Sequence, residues 1–156
     1  MTTVTNGAMG NPVEILLQED NPGDVRLMLE AFKDSKVHNH LTIVRDGAEA
    51  LAFLHREDKY ANVPRPDLIL LDLNLPKKDG REVLKEIKTE ENLKCIPVVV
   101  LTTSRAQNDI LKAYYLHANC YITKPADLAL FTKVVRSVED FWFTIVNLPG
   151  YDGTDY

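Results

Sequence analysis

The chain has 156 residues, with 18 Lys or Arg against 23 Asp or Glu and a formal charge of −5. At 45% apolar and 26% charged residues it has the make-up of one globular domain with a real core. The acidic balance argues against sequence-independent nucleic-acid binding, and the apolar runs are too short for a membrane span.

Residues 1–12 are small and polar and read as a disordered arm. Residues 13–18 form a short apolar strand closed by Glu19-Asp20-Asn21-Pro22-Gly23. Val25, Met28, Leu29 and Phe32 recur at helical spacing. Residues 41–44 read as a second strand. Asp46 and Glu49 then have the spacing of a capping box before Ala50, Leu51, Phe53 and Leu54. The apolar run of residues 68–71 is a third strand ending at Asp72. Asp79 and Glu82 repeat the capping spacing before Val83, Leu84 and Ile87. Residues 97–101 are a fourth strand, with Pro97 tolerated only at its start. Ile110, Leu111, Tyr114 and Tyr115 mark a fourth helix. Residues 120–123 are a fifth strand. Phe131, Val134, Val135, Val138, Phe141, Trp142 and Ile145 mark a fifth helix of about 20 residues, roughly 30 Å long. Residues 147–156 read as a loose tail.

This is a β-α unit repeated five times, an α/β pattern. Strands three and four lack polar alternation, as expected when helices cover both faces of a parallel sheet. In such sheets, sites form at the carboxyl ends of the strands. Strand one ends in Glu19-Asp20, strand three in Asp72, strand four in Thr102 and strand five in Lys124-Pro125. Singly, each is an ordinary cap, turn or surface residue; together they set three carboxylates, a hydroxyl and an ammonium on one edge. Two carboxylates ~5 Å apart at an effective dielectric of ~20 repel by roughly 3 kcal/mol, so such a cluster needs a cation or a proton. The all-oxygen donor set suits Mg²⁺, and Lys124 adds a fixed positive charge. Asp72 could then accept a phosphoryl group as an acyl phosphate, with Thr102 donating a hydrogen bond to it.

These residues carry a resemblance. The stretches Leu16-Leu17-Gln18-Glu19-Asp20, Leu70-Leu71-Asp72-Leu73-Asn74-Leu75-Pro76-Lys77-Lys78-Asp79-Gly80, Val100-Leu101-Thr102-Thr103-Ser104 and Tyr121-Ile122-Thr123-Lys124-Pro125 resemble response-regulator receiver domains. The likeness covers residues 13–146. It implies a flavodoxin-like, doubly wound five-stranded parallel sheet in the order 2-1-3-4-5. It implies Mg²⁺ held by Asp20, Asp72 and the Asn74 backbone carbonyl, with Glu19 acting through water. Asp72 would be phosphorylated from a histidine kinase, with Lys124 pairing with the phosphoryl group. Thr102 and Tyr121 would be the switch pair, and the Lys124–Pro125 peptide would be cis. A narrower likeness, in residues 65–84, 116–121 and 141–149, is to the single-domain regulators that partner phytochrome-type kinases.

Three positions depart from the family pattern: Gln18 where an apolar residue precedes the acidic pair, Ala126 where Phe is frequent, and the small Ser104. No output domain is expected after the fifth helix, so function should run through protein contacts. Phe141, Trp142 and Ile145 are more apolar surface than one core face needs, which suggests a homodimer seam built with the fourth helix and fifth strand.

Other classes fit less well. An FMN phosphate would meet Glu19, Asp20 and Asp24. No G-x-G-x-x-G follows strand one. Asn74 stands where an aspartate-nucleophile phosphatase needs its general acid. A receiver that works without phosphorylation is the remaining alternative, and the intact acidic set argues against it. Cys95 and Cys120 form no C-x-x-C pair and no basic-then-apolar leader is present, so neither a structural disulfide nor a structural zinc site is expected, and the setting reads as reduced and cytoplasmic. His38 and His40 read as loop residues, His55 and His117 as helix-end residues, and Glu90-Glu91 as a solvated helix end.

Overall fold

The computed structural model describes residues 2–5, 12–35, 37–73, 80–103 and 106–145. Its strands are β1 (Thr2–Thr5), β2 (Val13–Gln18), β3 (Asn39–Val44), β4 (Leu68–Leu71), β5 (Val98–Thr102) and β6 (Cys120–Thr123). Its helices are α1 (Pro22–Lys33), α2 (Gly47–Leu54), α3 (Gly80–Thr89), α4 (Gln107–Tyr115) and α5 (Leu128–Asp140). The sheet runs β1-β3-β2-β4-β5-β6. The five strands β2 to β6 are parallel, and counted alone in chain order they stand 2-1-3-4-5, as expected.

The strands are apolar on both faces because helices cover both. On one face Leu16, Ile69, Leu71, Val98 and Val100 pack with Ala50 and Leu51 of α2, Val83, Leu84 and Ile87 of α3 and Ala113 of α4. On the other, Ile15, Leu17, Ile43, Leu70 and Val99 meet Val25, Met28 and Phe32 of α1 and Phe131, Val135 and Val138 of α5. Period-two alternation thus sorts one strand set into two cores.

Helix starts follow their caps. The Asn21 Oδ1 accepts from the Asp24 N–H at 3.1 Å, with Pro22 in the first turn. Asp46 accepts from the Glu49 N–H at 2.8 Å, as its spacing predicts. Asp127 does the same for Leu130 at 2.9 Å. Among the described residues no helix is long and apolar enough to cross a membrane.

Four expectations need correction. Thr2–Thr5, read as part of a disordered arm, form an antiparallel strand on β3, with Thr2 opposite Ile43 and Thr5 opposite His40. Three threonines and a valine suit an extended backbone, and the outer edge of β3 offers unpaired backbone groups. The sheet therefore has six strands. Helix α4 exists, but Leu111, Tyr114 and Tyr115 are exposed and its buried residue is Ala113. Helix α5 stops at Asp140 and continues as a π-helical turn, Phe141–Ile145. That turn carries Trp142, expected at a seam, into the chain's own α1–α5 core, while Phe141 remains half exposed. The side chain of Ile145 and the tail 147–156 lie outside the described residues. Finally, His40 belongs to β3 rather than a loop, its Nδ1 lying 2.7 Å from Glu14 Oε2 on the paired strand.

Two buried polar groups stand out. Gln18, at the carboxyl end of β2, has no exposed surface, and among the described residues neither its Nε2 nor its Oε1 meets a hydrogen-bonding partner. Each such group costs about 1–3 kcal/mol. Glu139 of α5 is buried, with one carboxyl oxygen unpartnered among the described residues, and burial pushes its pKa up to about 7.

Two outcomes are expected. Gln18→Leu raises the unfolding free energy by about 1–3 kcal/mol in urea titrations; a loss of stability would mean the amide is well bonded. For Glu139, the fold holds a proton that the unfolded chain releases from the ordinary 4.5. Its stabilisation is complete below pH about 4.5 and is lost as pH rises through about 7. Glu139→Gln should therefore show a smaller fall in unfolding midpoint than the parent chain between those two pH values.

Candidate functional site

Parallel pairing puts the strand ends in one row. Glu19 and Asp20 follow β2, Asp72 follows β4, Thr102 closes β5 and Lys124 follows β6. Backbone bonds across the row set their heights. The Asp72 N–H donates to the Gln18 carbonyl at 3.2 Å, the Glu19 N–H to the Val44 carbonyl at 3.0 Å, and the Lys124 N–H to the Thr102 carbonyl at 2.7 Å. Gly80, first in α3, lies against the Asp72–Leu73 backbone. A Cβ there would sit 2.5 Å from the Asp72 carbonyl oxygen, so only glycine allows α3 to start this close to the site.

The Lys124 ammonium is the hub. It bonds to Glu19 Oε2, to Asp24 Oδ2 at 2.9 Å and to Asp72 Oδ2 at 3.1 Å. Lys124, Glu19 and Asp72 are all buried, at 5%, 1% and 8% exposure, so these charges act in a poorly screened setting. The other Glu19 oxygen accepts from the Asn21 N–H at 3.2 Å. Burial works against the charge on Lys124, yet Glu19, Asp72 and Asp24 together hold its pKa above the ordinary lysine range. Burial likewise dominates at Glu19, pushing its carboxyl up to about 7 against the pull of Lys124.

Three carboxylates (Glu19, Asp24 and Asp72) thus bond one ammonium, and Asp20 stands beside Glu19 and Asp72. Oxygens of Glu19, Asp20 and Asp72 lie within 4.8 Å of one another. A compact donor set of oxygens alone, carrying surplus negative charge, fits a hard divalent cation. Glu19, Asp20, Asp72 and Lys124 are therefore brought together as their strand-end positions predict. Asn74, whose carbonyl the resemblance places at the metal, lies outside the described residues, as does Ser104. Thr102 is fully buried, and the β5–β6 register puts it on the same sheet face as Tyr121. Tyr121 is half buried, and its N–H donates to the Tyr114 hydroxyl at 3.2 Å. The Lys124–Pro125 peptide is trans, not cis; the two isomers differ by only about 0.5–1 kcal/mol before proline.

Asp24, placed by the sequence only where it would repel an FMN phosphate, bonds to Lys124 and so belongs to the site. Its readable signal was position. An acid in the first turn of a helix that starts right after Glu19-Asp20, with Asn21 as cap, must turn back toward the strand ends.

The sequence profile of the response regulator receiver domain matches residues 15–136. Response regulator Rcp1 of Synechocystis sp. is 54% identical over 138 residues, 88% of this chain and 94% of that protein. The crystal structure of the phosphorylated cyanobacterial phytochrome response regulator RcpA superposes with a TM-score of 0.88 at 54% identity, covering 90% of this chain and all of that one. The Mn²⁺-bound form of Rcp1 gives 0.87 at the same identity, covering 89% of this chain and 100% of that one. Agreement of this extent, in profile, sequence and backbone alike, means that the chain belongs to the response regulator receiver-domain family of two-component signalling.

Proposed function

We propose that Asp72 is the phosphoacceptor of this chain, loaded from a histidine kinase of the phytochrome type in a reaction that needs Mg²⁺. What carries this reading is the buried contact of Lys124 with Glu19, Asp24 and Asp72. It keeps an ammonium at the acceptor oxygen while leaving the pocket acidic enough to draw in a divalent cation.

Asp20, Asp72 and the Asn74 carbonyl would hold the ion, with Glu19 acting through water. Bound there, Mg²⁺ neutralises charge on phosphoryl oxygens. A carboxylate oxygen of Asp72 attacks phosphorus as the P–N bond to the kinase histidine breaks, and the imidazole takes the bonding pair. Lys124, already 3.1 Å from Asp72, re-aims its charge from the carboxylate to the transferred group. The Thr102 hydroxyl then gains a phosphoryl oxygen as partner, and Tyr121, on the same face, repacks.

The phytochrome-type donor rests on the likeness to RcpA, a phytochrome response regulator. A cytoplasmic setting is consistent with the free thiols of Cys95 and Cys120. Output runs through a homodimer. Leu111, Tyr115, Leu128, Leu130 and Phe141 of α4, α5 and the turn after it stay exposed, and an apolar groove lined by Ile122, Leu130, Val134 and Phe141 adjoins them.

Incubation with Mg²⁺ and acetyl phosphate, followed by intact mass, should show one base-labile phosphoryl group, absent in Asp72→Asn. Phosphate on a serine or threonine would overturn the assignment. Sedimentation should show a dimer at high micromolar concentration; monomer alone, with and without phosphate, would remove the homodimer.

A further inference from the structure

Among the described residues, a second group of metal-ligating side chains stands apart from the strand-end site: His55, Glu86 and Glu90, with one potential ligand atom from each within 4.8 Å of the others. His55 caps the carboxyl end of α2, and Glu86 and Glu90 lie at the carboxyl end of α3. Helices in this fold run against the strands, so the group sits at the opposite edge of the sheet from Asp72. It shares no residue with that site.

We propose that His55, Glu86 and Glu90 form a separate divalent-metal site suited to Zn²⁺. The donor chemistry differs from that of the strand-end pocket. One imidazole nitrogen with two carboxylate oxygens suits borderline transition metals, whereas oxygens alone suit Mg²⁺.

The frame is already built. Glu86 and Glu90 are four residues apart, so they stand side by side on one helix face. The Glu90 N–H still bonds to the Glu86 carbonyl at 3.2 Å, which extends the helical geometry through both ligands. The His55 N–H bonds to the Leu51 carbonyl at 2.8 Å, and Arg56 turns the chain away at a φ of 54°. Beneath, Leu51 and Leu54 of α2 pack in one core with Val83, Leu84 and Ile87 of α3. The ligands therefore come from two elements fixed to each other rather than from mobile loops.

Charge and ring orientation point the same way. His55 Nε2 lies 2.8 Å from Glu90 Oε1, and its Nδ1 lies 3.9 Å from Glu57 Oε1. Zn²⁺ would take the His55 Nε2 lone pair together with one oxygen each from Glu86 and Glu90. His55 and Glu90 side chains are 28% and 31% exposed, so water can fill the remaining positions.

Calorimetric titration of the full chain with Zn²⁺ tests this. The parent chain and Asp20→Asn should both bind one ion at this site. His55→Gln and Glu90→Gln should each weaken it more than about tenfold. In parallel, Zn²⁺ should shift the nitrogen resonances of the His55 ring and leave those of His40 and His117 in place. Equal affinity in the parent chain and His55→Gln, a loss that follows Asp20→Asn instead, or shifts confined to another histidine would overturn the site.

Discussion

A buried ammonium held by several carboxylates organises this molecule. Lys124 touches Glu19, Asp24 and Asp72, which arrive from three different places: the end of β2, the first turn of α1 and the end of β4. Burying such a group is unfavourable unless its partners are close and its hydrogen bonds are made. Removing the Lys124 ammonium would leave buried carboxylates facing one another uncompensated, so the arrangement is tightly specified. It is also unbalanced, since one ammonium cannot neutralise four carboxylates. The fold therefore carries a standing demand for positive charge at Asp72, and that demand makes an ordinary aspartate a candidate acceptor of an anionic phosphoryl group.

The rest of the fold supplies the platform. Parallel strands bury both faces, so their ends reach one edge in fixed register. Strand ladders carry no freedom to slide, because a one-residue slip would send Leu16 and Leu71 to the face that packs Leu17 and Leu70. Gly80 completes the platform by admitting the start of α3 against the Asp72 backbone. The helix carboxyl ends gather at the other edge, where His55, Glu86 and Glu90 meet. The same topology thus creates two acidic clusters of different chemistry, one all oxygen and one with nitrogen.

Much of this is legible in the amino-acid sequence alone. Uninterrupted apolar runs ending in acid or hydroxyl residues announce buried parallel strands with chemistry at their ends, and the five helix starts carry readable caps or apolar periods. What escaped reading depends on partners distant in sequence. Thr2–Thr5 look featureless until the open edge of β3 is present to pair with them. Trp142 reads as surplus surface until the π-helical turn brings it into the α1–α5 core. Leu111, Tyr114 and Tyr115 have a helical period, yet their face is the exposed one. Glu90 reads as solvated until α2 brings His55 to it. In each case local pattern gives the element, and tertiary contact decides which way its side chains turn.

The most direct test of the acidic surplus is equilibrium unfolding of the unphosphorylated chain across a Mg²⁺ titration. The account predicts saturable stabilisation, reaching about 2.7 kcal/mol when free Mg²⁺ is a hundredfold above its dissociation constant, and most of it lost in Asp20→Asn. Unfolding that ignores Mg²⁺, or stabilisation equal in Asp20→Asn and the parent chain, would contradict it.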